Sequence, residues 1–264
     1  MKRKSPEAMV RAIYRRLARA WGPQHWWPAE TPFEVIAGAI LTQNTSWKNV
    51  ERALANLRTA NLLHVAGIGE TPLARLEELV RPSGYFRQKA QRLKGFATFV
   101  DARYDGSLEK MFAVPTAQLR TELLALKGIG PETADGILLY AGNHEIFVVD
   151  AYARRVLERH EALKKDAKYD EVRQLVERAL DREEAADTAR LSASRPEVHD
   201  PSVMSRLRRS RRTQVYNEMH GLFVQVGKHY CHKKSPQCAA CSLGKLLPFA
   251  PKHPGAPTNK PIVL

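Results

Sequence analysis

A glycine-rich turn followed by two carboxylates is the part of this sequence whose residue types best suit chemistry. Gly128 and Gly130 frame one apolar residue, and Pro131 stands where a helix would take its first residue. Glycines let another backbone come close, and the free N–H groups of a helix N-terminus attract an anion such as a phosphate. Glu132 lies in that first helical turn, and a short apolar stretch then leads to Asp150. The pattern predicts an anion-binding hairpin or, as the plainer alternative, a turn between two packed helices.

Three tryptophans form a second candidate group. Trp26 and Trp27 are adjacent in a predicted loop, and Trp47 follows a polar stretch after the next predicted helix. Because consecutive residues point in different directions, at least one of the adjacent pair needs a role of its own. Large aromatic rings bind flat or cationic groups, but they also close the edge of a core. The residues alone leave both roles open.

The cysteines form a third group. Cys231, Cys238 and Cys241 are the three cysteines of the chain, and they lie close together. An odd number confined to one short loop argues against a disulfide framework. The spacing predicts a local metal or cluster loop.

The elements that must position these groups are helical. Ser5 can cap a first helix that reaches about Trp21, in which apolar residues recur at helical spacing. Thr31 and Pro32 open a second helix through about Gln43, which is apolar almost all round and is therefore central. No alternating strand pattern of useful length appears. The sequence predicts an all-α fold.

The charge of the chain indicates the class of its partner. Lys and Arg number 42 against 28 acidic residues, so the net charge is +14 and the pI is near 9.9. Such a surface attracts a polyanion, with nucleic acid as the leading candidate and a generally basic surface as the alternative. The sequence has no run of eighteen apolar residues, and its N-terminus leads into a charged amphipathic stretch. We expect a monomeric cytosolic protein, nucleoid-associated if bacterial, with no membrane partner.

Two segments have compositions that disfavour a fixed fold. Residues 182–212 are highly charged and poor in large apolar residues, which predicts a mobile insertion. Its basic run can contact phosphates or simply be solvated. Residues 249–264 are proline-rich, which predicts a flexible tail.

The hairpin and the aspartate carry a family resemblance. The run Leu126-Lys-Gly-Ile-Gly-Pro-Glu-Thr-Ala134, with Asp150 eighteen residues after Glu132, resembles the helix-hairpin-helix and catalytic aspartate of the endonuclease III superfamily of DNA glycosylases. The resemblance implies two helical domains. One is a six-helix barrel domain over 24–143 that contains the helix-hairpin-helix (126–141). The other is built from both chain ends, 1–23 and 144–248, and carries the three-cysteine loop (231–241) and the insertion.

The resemblance also implies roles for single residues. Asp150 matches the catalytic carboxylate. Gln43 matches the residue that enters the gap left by an extruded base, and Tyr85 falls near the second wedge position. The implied partner is double-stranded DNA with a damaged base. The hairpin residues that match DNA contacts are Lys127, Gly128 and Gly130.

Glu132 departs from the bifunctional members of this superfamily. Those members carry a lysine at this catalytic position, which attacks the sugar as an amine and then cleaves the strand through a Schiff base. A glutamate cannot form that imine, and Lys127 lies five residues earlier, on the other side of the hairpin. The resemblance therefore implies a monofunctional glycosylase that uses Asp150 and water.

Within the superfamily, the sequence is most similar to the 3-methyladenine DNA glycosylase III type. That similarity implies a base pocket built from Trp26, Trp27 and Trp47. A base alkylated at a ring nitrogen is cationic, so electron-rich rings bind it by stacking and cation–π attraction. The other segments that carry the similarity are Leu41-Thr-Gln-Asn-Thr45, Arg81-Pro-Ser-Gly84 and Gln88-Lys-Ala90.

The cysteine loop departs from the superfamily at one position. Relatives continue to a fourth cysteine and bind a 4Fe-4S cluster, but this sequence has Leu247 there. Three thiolates can hold a cluster together with His229, His232 or an outside ligand. They can also hold zinc, or remain as a packed loop without metal.

Two other functions stay open from the sequence. One is an endonuclease III-like glycosylase for oxidised or mismatched pyrimidines, which differs in the aromatic pocket. The other is a catalytically weakened DNA-binding homologue, since a lysine and a cysteine are both missing. Retention of Asp150 with Gln43 and the tryptophans argues against that loss of activity.

Overall fold

A computed structural model describes residues 4–185 and 200–248, and the regular elements within these ranges are helices without any strand. The predicted all-α fold is confirmed. No helix in these ranges is both long enough and apolar enough to cross a membrane. In chain order the helices are α1 (Pro6–Trp21), α2 (Pro32–Leu41), α3 (Trp47–Thr59), α4 (Val65–Glu70), α5 (Leu73–Val80), α6 (Phe86–Tyr104), α7 (Leu108–Phe112), α8 (Thr116–Leu124), α9 (Pro131–Gly136), α10 (Ala151–Arg159), α11 (Tyr169–Leu180), α12 (Val203–Arg206) and α13 (Arg211–His229). Short 3-10 turns cover Arg81–Ser83 and Gly244–Leu246, and a π turn over Ile137–Ala141 extends α9.

Side-chain caps fix where the first two helices begin. The Ser5 hydroxyl accepts from the N–H of Ala8 at 3.2 Å, and the Thr31 hydroxyl accepts from the N–H of Glu34 at 3.1 Å. Both helices have proline in their first turn, where no N–H donor is needed. Each cap satisfies one free N–H group and contributes about 1 kcal/mol. The helix starts predicted at Ser5 and Thr31 are thereby confirmed.

The described residues divide into two compact units. The hairpin unit comprises residues 25–148 and 200–217, and it contains α2 to α9, α12 and the start of α13. The cysteine unit comprises residues 4–24, 149–185 and 218–248, and it contains α1, α10, α11 and the rest of α13.

Helix α2 is the centre of the hairpin unit. Every residue from Phe33 to Leu41 is buried, and α2 packs against α3, α6, α9 and the π turn. An almost uniformly apolar helix must be enclosed on all sides, as the sequence predicted. Its one buried charge, Glu34, is paired with Arg58 from α3. The helix ends at the polar residues that include Gln43.

The cysteine unit is organised around α1, whose apolar face is buried and packs against α11. At the end of α1 the Trp21 ring stacks on Tyr230, with the two ring centroids 5.9 Å apart. Gly227 of α13 faces Tyr152 of α10, and a Cβ at position 227 would overlap the tyrosine ring. This glycine therefore lets α10 and α13 approach closely.

The predicted mobile insertion is wrong for residues 200–212. Residues 200–217 belong to the hairpin unit, and not to the second domain in which the sequence placed the insertion. Met204 is 2% exposed, and its N–H donates to the carbonyl of Ala29 at 3.0 Å. The composition showed the charges of this segment but not the few residues that anchor it. Residues 186–199 of the insertion and the predicted tail 249–264 lie outside the described residues.

Candidate functional site

The hairpin joins α8 to α9 through the turn 125–130. Gly128 has φ of +85°, a conformation that side chains rarely adopt, and a Cβ there would collide with the guanidinium of Arg92. Gly130 is extended, and apart from its neighbours along the chain no described atom lies within 4 Å of where its Cβ would be. The first glycine is therefore required by the fold, whereas the second leaves open space beside the N-terminus of α9. Open space at a helix N-terminus is what an anion needs.

Gln43 is docked on this hairpin. Its Nε2 donates to the carbonyl of Gly128 at 3.2 Å and to the hydroxyl of Thr133 at 2.9 Å, while its Oε1 accepts from Arg92. The structure thus brings together two groups of predicted DNA-contact residues that are distant in sequence. These hydrogen bonds hold the glutamine side chain in one orientation at the end of α2.

Lys127 and Glu132 stand on either side of the turn, and both are exposed. Glu132 is the second residue of α9, where a carboxylate is favoured by the helix dipole. Position 132 therefore carries a carboxylate, which is favourable at a helix N-terminus, and it has no amine that could attack a sugar.

Helices α8 and α9 are joined by a buried ion pair that the sequence did not reveal. Asp135 is fully buried and accepts from Arg120 with both oxygens, from Nε at 2.7 Å and from Nη2 at 3.2 Å. A bidentate guanidinium–carboxylate pair fixes both distance and angle. Nothing local to Asp135 in the sequence indicates that Arg120 is its partner.

A buried lysine supports the end of α2. Lys89 is 1% exposed, and its Nζ donates to the carbonyls of Leu41 at 2.8 Å and Ser83 at 2.6 Å. Burial, and to a lesser extent the charge of Arg92, lowers the pKa of Lys89 to about 8. This lysine fixes the backbone two residues before Gln43, and sequence reasoning gave it no role.

The three predicted pocket tryptophans meet in the hairpin unit. The Trp27 ring lies 5.1 Å from Trp47 and 5.3 Å from Trp26 between centroids, and 5.2 Å from Tyr140. Trp26 and Trp27 are each 6% exposed, whereas Trp47 is half-buried. Tyr140 is an aromatic member that the sequence missed. The rings therefore contact one another.

Tyr85 lies at a surface turn of the hairpin unit. It is 66% exposed and has φ of +45°, directly after Gly84 and before α6. Bulky residues rarely adopt positive φ, so the exposed ring is held in an uncommon backbone conformation. The geometry suits a side chain whose contacts lie outside the protein.

Asp150 begins α10 in the cysteine unit. Its Oδ1 accepts from the N–H of Ala153 at 2.7 Å, and its Oδ2 lies 3.6 Å from Nε2 of His220. Burial lowers the pKa of His220, while the charge of Asp150 opposes that shift. One carboxylate oxygen is thus used by the helix cap, and the other faces a buried imidazole. His220 is a neighbour of the carboxylate that the sequence did not identify.

The three cysteines line one pocket, which is also lined by Arg159, His160 and Leu247. The Cys231 sulfur accepts from Arg159 at 2.9 Å. Burial raises the pKa of the Cys238 thiol, and raises that of Cys241 to about 11. Within the described ranges, no group of three or more cysteine, histidine or acidic side chains is placed to bind one metal ion.

His160 is the other potential ligand in this pocket. It is 4% exposed, and its Nδ1 lies 2.8 Å from the carbonyl of Val156. A proton on Nδ1 leaves the Nε2 lone pair free, which is the form that binds metals. Cysteines of a cluster bind different irons, so they need not be as close as the ligands of one ion. Cys231, Cys238, Cys241 and His160 are thus the candidate donors of this pocket.

Comparison with known proteins identifies the family. The profile of HhH-GPD superfamily base excision DNA repair proteins matches residues 37–182, more than half of the chain. The chain belongs to this superfamily. It is 40% identical to a Methanocaldococcus jannaschii protein named "Putative DNA repair glycosylase MJ1434", over 89% of this chain and 94% of that protein. Members of the HhH-GPD superfamily act on DNA, and this chain is a DNA glycosylase of base excision repair.

Solved structures agree with this assignment to the HhH-GPD superfamily. The 3-methyladenine DNA glycosylase of H. pylori, MagIII, bound to 1,N6-ethenoadenine, is 29% identical to this chain with a TM-score of 0.67, and 85% of this chain and 98% of that one are covered. A trapped endonuclease III–DNA covalent intermediate has a TM-score of 0.68 at 20% identity, covering 92% and 95% of the two chains. The second likeness supports the HhH-GPD fold alone.

Proposed function

We propose that this glycosylase releases alkylated purines from duplex DNA by hydrolysis and leaves the strand intact. The observation that carries the proposal is the cluster of Trp26, Trp27 and Trp47, combined with an acid in place of an amine at Glu132. The likeness to the 3-methyladenine DNA glycosylase of H. pylori supports the same substrate class.

The tryptophan cluster suits a cationic base. A purine such as 3-methyladenine, alkylated at a ring nitrogen while still attached to the sugar, carries positive charge on its ring, and indole faces are the strongest cation–π partners among the amino acids. Trp27 and Trp47 have indole N–H groups without a hydrogen-bond partner. These two donors can bind an acceptor atom of the base. Trp47 is the more exposed of the two, so we propose that its ring contacts the base first.

Asp150 suits the chemistry that such a base requires. The bond between C1′ and the base nitrogen breaks, and the base leaves as a neutral molecule because it takes the electron pair. The sugar becomes oxocarbenium-like, and a nearby carboxylate stabilises that charge. Water then bonds to C1′, and its proton passes to the carboxylate or to solvent. Since a cationic base leaves easily, the protein needs no strong general acid.

The hairpin and Gln43 supply the DNA contacts in this proposal. The N-terminus of α9 beside Gly130 would bind a backbone phosphate, and Gln43, fixed by Gly128 and Thr133, would replace the extruded base. Tyr85 would act as a second wedge because its ring is exposed.

The substrate class is tested by a panel of matched duplexes with one lesion each. We expect single-turnover release of 3-methyladenine to exceed release of an oxidised pyrimidine or a mismatched thymine by roughly tenfold or more, because aromatic stacking and cation–π attraction favour the cationic base. Chromatography of the free base measures each rate. Faster release of the oxidised pyrimidine would assign the endonuclease III-like function, and release of none would assign a DNA-binding homologue.

We also propose that the cysteine loop holds a 4Fe-4S cluster through Cys231, Cys238 and Cys241, with His160 as the fourth ligand in place of a thiolate. Leu247 stands where a fourth cysteine would be, and the buried Nε2 of His160 lines the same pocket. A bound cluster would fasten the loop to α10, to which Arg159 already connects it. Its role in this position is structural.

Metal analysis tests this cluster. We expect anaerobically purified protein to contain iron and acid-labile sulfide, and the reduced cluster to show nitrogen hyperfine coupling in pulsed electron paramagnetic resonance that His160→Ala removes. His232→Ala is the matched control, since His232 lies inside the loop and is the alternative histidine ligand offered by the sequence, and it should leave the coupling unchanged. Protein with zinc or without metal would contradict the cluster, and unchanged coupling in His160→Ala would contradict the histidine ligand.

A further inference from the structure

The tryptophan loop depends on individual hydrogen bonds, among them those from the buried Gln24 side chain to the carbonyls of Trp21 and Gly22. Residues 22–30 connect α1 to α2 without regular secondary structure, and this loop carries Trp26 and Trp27. An aromatic site must hold its rings within a fraction of an ångström and about 10–20° to bind well. Hydrogen bonds that hold the backbone at Trp27 and Ala29 are therefore important for the position of the rings.

Ser202 fixes that backbone from a distant part of the sequence. Its hydroxyl donates to the carbonyl of Trp27 at 3.1 Å and accepts from the N–H of Ala29 at 3.2 Å. The same oxygen accepts from the N–H of Ser205 at 3.2 Å and so caps α12. A hydroxyl has one proton and two lone pairs, so all its hydrogen-bonding capacity is used.

Met204 adds a second connection at the same point. Its N–H donates to the carbonyl of Ala29 at 3.0 Å. Both backbone groups of Ala29 are therefore bound by residues 202–204. Since Ala29 is only two residues from Trp27, its position sets the direction in which the Trp27 side chain leaves the chain.

Arg209 anchors the other end of this segment. Its Nε donates to the side-chain oxygen of Asn143 at 2.8 Å, and its Nη atoms donate to the carbonyls of Met204 and Ser205. Burial lowers the pKa of Arg209, although arginine stays charged in proteins. Residues 202–209, which we call the strap, are thus attached at one end to the tryptophan loop and at the other to the turn at Asn143.

We infer that Ser202 is a positioning residue for the tryptophan cluster, and that the strap sets the alignment of Trp26 and Trp27 for binding a damaged base. The binding of a damaged base rests on the proposed function. The support that the strap gives to the tryptophan loop does not depend on which base is bound. The strap lies in a segment whose composition alone predicts no ordered contact, so its role depends on these few hydrogen bonds.

The test compares Ser202→Ala with Ser202→Thr, which keeps the hydroxyl, and with Ser205→Ala. Ser205 is the matched control because its hydroxyl donates within α12 to the Ser202 carbonyl and does not touch the loop. Two measurements need no substrate: hydrogen exchange at the Ala29 amide, and acrylamide quenching of tryptophan fluorescence in a Trp21→Phe background. We expect Ser202→Ala to raise the exchange rate of the Ala29 amide roughly tenfold and the acrylamide quenching constant about twofold. Ser202→Thr and Ser205→Ala should match the parent in both measurements.

Kinetics then connect the strap to base capture. On methylated duplex, Ser202→Ala should raise KM roughly tenfold while kcat changes less than about twofold, because the alignment of the rings affects binding more than bond breakage. Unchanged exchange and quenching in Ser202→Ala would overturn the inference. Changed exchange and quenching without any release of methylated purine would leave the strap in place and overturn only the proposed substrate. If Ser202→Ala does not fold, an unprotected Ala29 amide in the parent protein overturns the inference by itself.

Discussion

Asp150→Asn is expected to bind damaged duplex as tightly as the parent protein and to lose base excision by roughly 10²–10³-fold. The amide oxygen can still accept from the N–H of Ala153, so the cap of α10 is preserved. The substitution removes the negative charge that would stabilise the oxocarbenium-like sugar. Loss of one such preorganised group lowers the rate of the chemical step by roughly 10²–10³-fold. Single-turnover release of the free base, beside a binding titration, measures both effects.

Two further variants serve as controls for Asp150→Asn. Asp101→Asn removes an exposed carboxylate of α6 and should leave excision unchanged. Asp150→Ala removes the cap as well as the charge, so it should also lower stability by about 1 kcal/mol. Full excision by Asp150→Asn would show that the reacting carboxylate lies elsewhere in the chain.

Asp135→Ala is expected to lower the free energy of unfolding by about 3–5 kcal/mol. The carboxylate is fully buried and bound by two atoms of Arg120, which is itself largely buried. The substitution takes this carboxylate away from a largely buried guanidinium, and removing one side of a buried pair is the costly way to break it. Urea unfolding followed by circular dichroism gives the difference.

Glu78→Ala is the matched control for Asp135. It breaks an Arg–carboxylate pair of similar length, 2.9 Å between Arg75 and Glu78, but both side chains are more than half exposed. Such surface pairs contribute at most about 1 kcal/mol. If both variants lose the same free energy of unfolding, the buried pair does not connect α8 to α9 as the structure indicates.

The sequence was sufficient for the parts of the fold that depend on local physical chemistry. Ser5 and Thr31 mark helix starts because their hydroxyls cap the neighbouring N–H groups. The uniform apolarity of α2 requires burial on all sides, and burial is observed. The turn at Gly128 was predictable because only glycine adopts its positive φ without strain.

The sequence was insufficient where residues far apart in the chain combine. Nothing local to Lys89 indicates that it binds the carbonyls of Leu41 and Ser83. The strap was predicted to be mobile, because a charged composition hides the single hydroxyl of Ser202 that anchors it. Long-range hydrogen bonds leave no periodic signal in a sequence, and they are what supports the tryptophans and Gln43.

The central claim, hydrolytic release of an alkylated purine without strand cleavage, is tested most directly by the products of one reaction. A duplex with one 3-methyladenine is incubated with the wild-type protein, and free base, strand breaks before alkali and strand breaks after alkali are counted in the same sample. We predict one alkali-labile site for each base released, no breaks before alkali, and no covalent adduct on borohydride treatment, because Glu132 offers no amine. Breaks before alkali together with a trapped adduct would contradict the claim.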